Sequence, residues 1–200
     1  MKRFGILVVL LATASVWSQE PIVEQTAQAF QSELNTEFAN PEESPLTSED
    51  LKSFKGLDFY PIDPKYKVEA SFVRTPNEKT FKMKTSTTRT PEYVKYGELR
   101  FTLEGKACQL NLYQNIELIK KEGYADYLFL PFFDLSCGQD SYIGGRYLDL
   151  RIPKGDTLII DFNKAYNPYC AYNHKYSCPI VPLENNLDLM VPAGVKKFHD

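Results

Sequence analysis

Apolar side chains recur at every second position along several stretches of this chain, and that period buries one face only when strands pair. Val68, Ala70 and Phe72 share one face of Lys67–Arg74, and Phe81 and Met83 mark a shorter strand with lysines opposite. Leu99, Phe101 and Leu103 face one way while Glu98, Arg100, Thr102 and Glu104 face the other. Glu104-Gly105-Lys106 then turns the chain into Cys108, Leu110 and Leu112, which predicts an antiparallel hairpin. Tyr127–Phe133 is almost continuously apolar, as in a strand buried on both faces. Arg146–Ile152 and Thr157–Phe162 read as a second hairpin around Pro153-Lys154-Gly155-Asp156, and Leu187–Val191 as a last strand. The expected fold class is α+β, mainly β: an antiparallel sandwich or partly closed barrel with an N-terminal amphipathic helix.

That helix is expected over Pro21–Ala39, where Val23, Ala27, Phe30, Leu34 and Phe38 recur at three- and four-residue steps. Asn40-Pro41 ends it, because the residue before a proline disfavours helical angles. A second short helix is expected to start at Thr47 or Ser48, with Glu49 and Asp50 suiting its positive end, and to stop by Gly56. No Pro/Gly/Ser linker divides the chain beyond it, so the helical segment 19–43 leads into one β-rich domain, 44–200.

Residues 1–18 have the layout of a signal peptide: Lys2 and Arg3, an apolar run from Phe4 to Ala14, then Val16 and Ser18 before Gln19. The run is about half the ~20 residues a membrane span needs, which favours cleavage over a membrane anchor. No Cys follows it to take a lipid, and no second apolar stretch is long enough to span. The expected mature protein is exported, periplasmic or extracellular, with no membrane span after cleavage.

Composition narrows the function. The chain carries 23 Lys+Arg against 26 Asp+Glu, and losing Lys2 and Arg3 makes it more acidic. That excludes the basic footprint of nucleic-acid binding. Two His exclude a His-rich metal cluster, and no metal or cofactor is expected. G-x-S-x-G, H-E-x-x-H, G-x-x-x-x-G-K-[ST] and G-x-G-x-x-G are all absent. A Ser-His-Asp hydrolase would have to use His174, whose plainer reading is an exposed loop histidine, since His199 is penultimate. Asp134, Asp140, Asp149 and Asp161 could supply a carboxylate pair. Oxygen ligands for calcium are plentiful, but no D-x-[DN]-x-[DN]-G loop holds them. Nothing in the sequence indicates an oligomeric state.

Export makes thiols prone to pair, and four Cys allow three connectivities. Cys170 and Cys178, eight apart in a loop of Asn, Pro and Tyr, suit a local staple. Cys108 shares a strand face with Leu110 and Leu112, which leaves Cys137 as its partner. The intervals of 29, 33 and 8 residues lack the close pairs of a four-thiolate zinc site.

The unusual stretch is Asp134–Asn186, where Asp and Asn interleave with Tyr142, Tyr147, Tyr166, Tyr169, Tyr172 and Tyr176. Such a mixture either stacks on and orients a ligand, or braces a long loop through its own backbone. Gly144-Gly145-Arg146 is its sharpest feature: glycines permit close approach, and Arg146 shares a face with Leu148 and Leu150. At the margin of a core Arg146 needs a carboxylate, and Asp161 or Asp134 could supply it. It is then either an ion pair closing the barrel end or an anion clamp in a pocket.

Three long stretches carry a family resemblance: Tyr127–Leu150 (YLFLPFFDLSCGQDSYIGGRYLDL), Asp161–Asn173 (DFNKAYNPYCAYN) and Ser177–Leu187 (SCPIVPLENNL). Together with Ser44–Ala70 they resemble the bacterial domain-of-unknown-function 1684 family, over about Ser44 to Gly194. The resemblance implies no settled activity. It matches Asp134, Tyr142, Gly145, Arg146, Tyr147, Asp161, Asn163, Tyr166, Asn167, Pro168, Cys170, Cys178, Pro179, Glu184 and Asn185. Val181 replaces the first of two adjacent prolines, and Cys137 stands where the pattern looks like Ser or Asn. If Cys137 and Cys108 are both additions, the resemblance implies that they pair and that Cys170–Cys178 is the family's own staple.

The resulting expectation is an exported protein that binds a small polar or aromatic-stacking ligand through Tyr142, Arg146, Asp161, Asn163, Tyr166 and Asn167. The alternatives are a hydrolase with an Asp/His or Asp/Asn/Arg constellation in that region, and a structural or partner-binding module.

Overall fold

The computed structural model describes residues 25–199; the expected signal peptide and Pro21–Glu24 at the head of the expected helix lie outside them. Helix α1 (Ala27–Ala39) begins where the Thr26 hydroxyl accepts the Ala29 N–H at 3.1 Å, so Gln25 and Thr26 precede it rather than continue it. It ends as expected at Asn40. Leu34 and Phe38 on its buried face pack against Leu46, Leu57, Tyr172 and Val195. Helix α2 (Ser48–Ser53) is capped by Thr47, with Glu49 and Asp50 in its first turn.

The alternating stretches form seven strands: β1 (Lys67–Arg74), β2 (Phe81–Lys82), β3 (Glu92–Leu103), β4 (Lys106–Asn115), β5 (Tyr127–Phe132), β6 (Arg146–Arg151) and β7 (Thr157–Asp161). They make one antiparallel sheet in the order β6-β5-β4-β3-β1-β7, with β2 added beside β3. The β3–β4 hairpin turns at Glu104 and Gly105 as the sequence implies. The second expected hairpin does not form. β6 pairs with β5 and β7 with β1, at opposite ends of the strand order. Six backbone steps join Arg151 to Thr157, and they span at most about 23 Å. The two ends of the sheet must therefore curl toward each other, which makes it a half-barrel. The expected strand Leu187–Val191 is irregular instead: an isolated bridge, Phe133↔Asn186, precedes it, and Leu187 and Leu189 make single backbone hydrogen bonds with Phe133 and Leu135. Its backbone is met by other groups: the Val191 N–H goes to Asp134 Oδ2 at 2.8 Å.

The sheet has apolar side chains on both faces. Leu99, Leu110, Leu112, Leu128, Leu130 and Leu148 fill the concave side. Met83, Tyr93, Tyr113, Phe129, Tyr147 and Val181 form a second cluster on the other, so β5 is buried on both faces, as its continuous apolar run requires. The β4–β5 ladder consists of one residue pair, Tyr113↔Phe129. Beside it Asn185, fully buried, donates to the carbonyls of Asn111 (2.9 Å) and Pro131 (2.7 Å) and accepts the Asn111 N–H (2.9 Å). One amide side chain thus supplies the rungs that the ladder lacks.

Arg146 closes the barrel end and is 0% exposed. Its guanidinium pairs with Asp134 Oδ1 at 2.9 Å and donates to the carbonyls of Val191 (2.8 Å) and Ala193. Asp134 Oδ2 in turn accepts the N–H of Ser136 (3.0 Å) and of Val191. Of the two carboxylates considered, Asp134 is the partner, and the pair is structural. Gly145 before it holds φ +84°, and a Cβ there would stand 2.7 Å from the Phe132 carbonyl. Arg146→Ala strands the buried Asp134 charge and is expected to cost about 3–5 kcal/mol in urea unfolding. A cost within the about 1 kcal/mol of a surface ion pair would contradict this role.

Candidate functional site

The residues expected to bind a ligand separate into three places. Arg146 is sealed in the ion pair above. Asp161 accepts both the backbone N–H (3.1 Å) and the side-chain amide (2.9 Å) of Asn163. Asn163 also exchanges hydrogen bonds with the backbone of Asp63, both at 3.0 Å, and its carbonyl accepts Gln31 at 3.0 Å. Asn167 donates to the Lys196 carbonyl at 2.8 Å. All four side chains are buried, and their hydrogen bonds go to loops and to each other. Tyr142 lines a hollow of about 640 Å³ bounded by Cys170, His174 and the C-terminal Lys197 and His199. Its phenol is pushed up to about 12 by burial. Tyr166 lines a different cleft. The expected constellation therefore does not converge on one site.

The cysteines are corrected too: all four are free thiols. Cys108 turns to the Lys106 carbonyl at 3.6 Å, and Cys137 to Asp134 Oδ1 at 3.5 Å and Ser141 at 3.9 Å, so nothing brings those two together. Cys170 and Cys178 do lie side by side, with the Cys170 N–H donating to Cys178 Sγ at 3.2 Å. Their thiols share a hydrogen bond that holds Cys170 below the ordinary thiol range. His174 is exposed and makes no hydrogen bond or ion pair among the described residues. Among them, too, no group of three or more His, Cys, Asp or Glu could hold a metal ion, and no helix is long and apolar enough to cross a membrane.

The cleft that Tyr166 lines is built by the convex face of the sheet. On β5 and β6, Tyr127, Phe129, Tyr147 and Asp149 alternate with the core-facing residues and line it. In register, Phe129 opposes Asp149 and Tyr127 opposes Arg151, so Tyr127 and Asp149 are diagonal neighbours within reach. Tyr166 is brought alongside by an isolated bridge in which it exchanges backbone hydrogen bonds with Tyr147 at 2.9 and 3.1 Å. Both phenols donate to the same carboxylate oxygen: Tyr127 at 2.7 Å and Tyr166 at 2.6 Å from Asp149 Oδ1. Phe30, Leu34 and Glu37 of α1 form the opposite wall of a cleft of about 380 Å³. That volume suits a small organic molecule.

Asp149 is exposed to solvent yet crowded by protein, as befits a carboxylate at the foot of a cleft. Burial pushes its carboxyl above the ordinary range, while the bonds from Tyr166 and Tyr127, and the more distant Arg151, pull the other way. Arg151 itself is engaged at 2.7 Å by Asp126, and Asp149 has no salt bridge among the described residues. Burial and the Asp149 charge push both phenols upward, so they remain protonated donors. Sequence reasoning placed Tyr147 and Asp149 on the face opposite the leucines but missed this site. The available signal was that Tyr127 and Phe129 on the neighbouring run alternate in the same sense.

A half-barrel whose convex face carries an aromatic cleft over one carboxylate is the class that fold and site define. The chain belongs to the family described as Protein of unknown function (DUF1684), whose model matches residues 52–196. It is similar to the solution NMR structure of an uncharacterized protein from Haloarcula marismortui. The two share 35% identity over 84% of this chain and 91% of that one, with a TM-score of 0.67. No curated protein matches.

A raised proton affinity has a definite sign. Ionised Asp149 costs stability above its folded pKa, and the cost fades as the pH falls through it. Asp149→Asn is therefore expected to unfold at higher urea than the parent at neutral pH, with the advantage shrinking in acid. By carboxyl ¹³C NMR titration, Tyr127→Phe with Tyr166→Phe should raise the Asp149 pKa further, since both lost bonds favour the charged form. A fall would contradict the assignment.

Proposed function

We propose that this protein binds a small, ring-bearing or otherwise compact polar ligand in the aromatic cleft, with Asp149 as its anchor. One observation carries the reading: a solvent-reached carboxylate stands among aromatic rings, held by two phenols and, among the described residues, by no cation. A scaffold carboxylate is ordinarily neutralised, as Asp134 is by Arg146. Asp149 instead carries an unpaired charge at a cost to stability, which marks binding and catalytic groups more often than structural ones. Both phenols use Oδ1, and Oδ2 has no hydrogen-bond partner among the described residues, so it can accept a donor from the guest.

The basic start, short apolar run and small-residue exit of residues 1–18 support export, and we place this binding outside the cytoplasm.

Thermal shift against sugars, amines, amino acids and nucleosides tests the binding. A ligand at a hundredfold excess over its Kd stabilises the fold by about 2.7 kcal/mol. Asp149→Ala is expected to abolish the shift while remaining folded. A shift that survives in Asp149→Ala would place the ligand elsewhere. Turnover of generic ester or glycoside substrates that this substitution abolishes would replace binding by hydrolysis.

A further inference from the structure

We propose that the ligand of this cleft is an organic cation, an alkylated or quaternary ammonium group held against the aromatic rings with Asp149 as counter-ion. The inference rests on the binding role of the cleft and names the chemistry of its guest.

Charge is the first argument. Among the described residues, the cleft is lined by two carboxylates, Asp149 and Glu37, and by no Lys, Arg or His. Glu37 is tied to the Tyr169 hydroxyl, which leaves Asp149 to face a guest. Such a lining repels phosphates and carboxylates and attracts positive charge.

The rings supply the second. Phe129 and Tyr147 meet at 4.8 Å and 77°, Tyr147 and Tyr166 at 5.9 Å and 88°, and Tyr93 and Phe129 at 6.0 Å and 47°. Rings tilted in this way do not form the parallel slot that a flat base or sugar face slides into. Rings lining the cleft at several angles suit a rounded group better than a flat one, and the negative faces of aromatic rings attract ammonium ions.

The phenols supply the third. The Tyr127 and Tyr166 hydroxyl protons are committed to Asp149 Oδ1, so towards the cleft these oxygens offer lone pairs rather than donors. Donation to a carboxylate also enriches both rings in electron density, which strengthens their pull on a cation. An alkylated ammonium that keeps an N–H can donate it to Oδ2 or a phenol oxygen, and a quaternary one meets the same lone pairs through its charge.

The test compares choline with 3,3-dimethylbutan-1-ol, its neutral carbon isostere, and with methyl glucoside, by calorimetric titration of the full mature chain. Choline is expected to bind about tenfold or more tightly than the isostere, and Asp149→Asn to remove about that factor while staying folded. The isostere comparison is made on the unmodified protein and does not depend on any variant folding. If the isostere or the glycoside binds as well as choline, and Asp149→Asn weakens it, the cation is refuted and the cleft remains the binding site. If choline does not bind while another panel ligand binds at Asp149, the cation is likewise refuted. If nothing binds, both readings fall.

Discussion

A guanidinium cut off from water must find its hydrogen-bond partners inside the protein, and those partners then hold the chain where it lies. Arg146 begins β6, and through Asp134 and the carbonyls of Val191 and Ala193 it ties that strand to the loop after β5 and to the C-terminal segment. Neither segment forms regular structure here, so the Ala193 carbonyl and the N–H groups of Ser136 and Val191 take their partners from the charge pair. Asn185 serves the same purpose at the neighbouring strand, replacing the missing β4–β5 rungs with a single amide. The half-barrel is held at this end by side chains that stand in for backbone.

That arrangement frees the other face of β5 and β6. Leu128, Leu130 and Leu148 satisfy the concave core, so Tyr127, Phe129, Tyr147 and Asp149 on the convex face are not needed to close it. Phe129 and Tyr147 join the second cluster on that face, and helix α1 leaves a cleft beside it. The two carboxylates therefore have opposite fates. Asp134 is saturated by a cation and backbone donors, while Asp149 is held by two phenols and has one oxygen without a hydrogen-bond partner among the described residues.

Strand placement was largely legible because a period of two is visible in one sequence: β1, β4, β6 and β7 fall where the alternation puts them and β5 where its continuous apolar run does, while β3 begins at Glu92, ahead of the alternation read around Leu99–Leu103. Pairing was not. The short link between β6 and β7 looked like a hairpin, and only the curl of the sheet, a property of all strands together, puts them at opposite edges. The Asp, Asn and Tyr of residues 134–186 stand out in the sequence, but it does not show which amides face backbone and which face solvent. Asn163 and Asn167 brace loops, and Arg146 needed a carboxylate, as its strand face implied. Asp149 was hidden because its partners Tyr127 and Tyr166 lie on either side of it in the chain and meet only through strand register and a single bridge.

One charge holds the fold, and the proposal that another receives a guest is tested most directly by proximity. In a protein with ¹³C-labelled tyrosines and phenylalanines, saturated with choline, nuclear Overhauser contacts should run from the N-methyl protons to the ring protons of Tyr127 and Tyr166. Contacts confined to the hollow beside Tyr142, with none to those two rings, would contradict it.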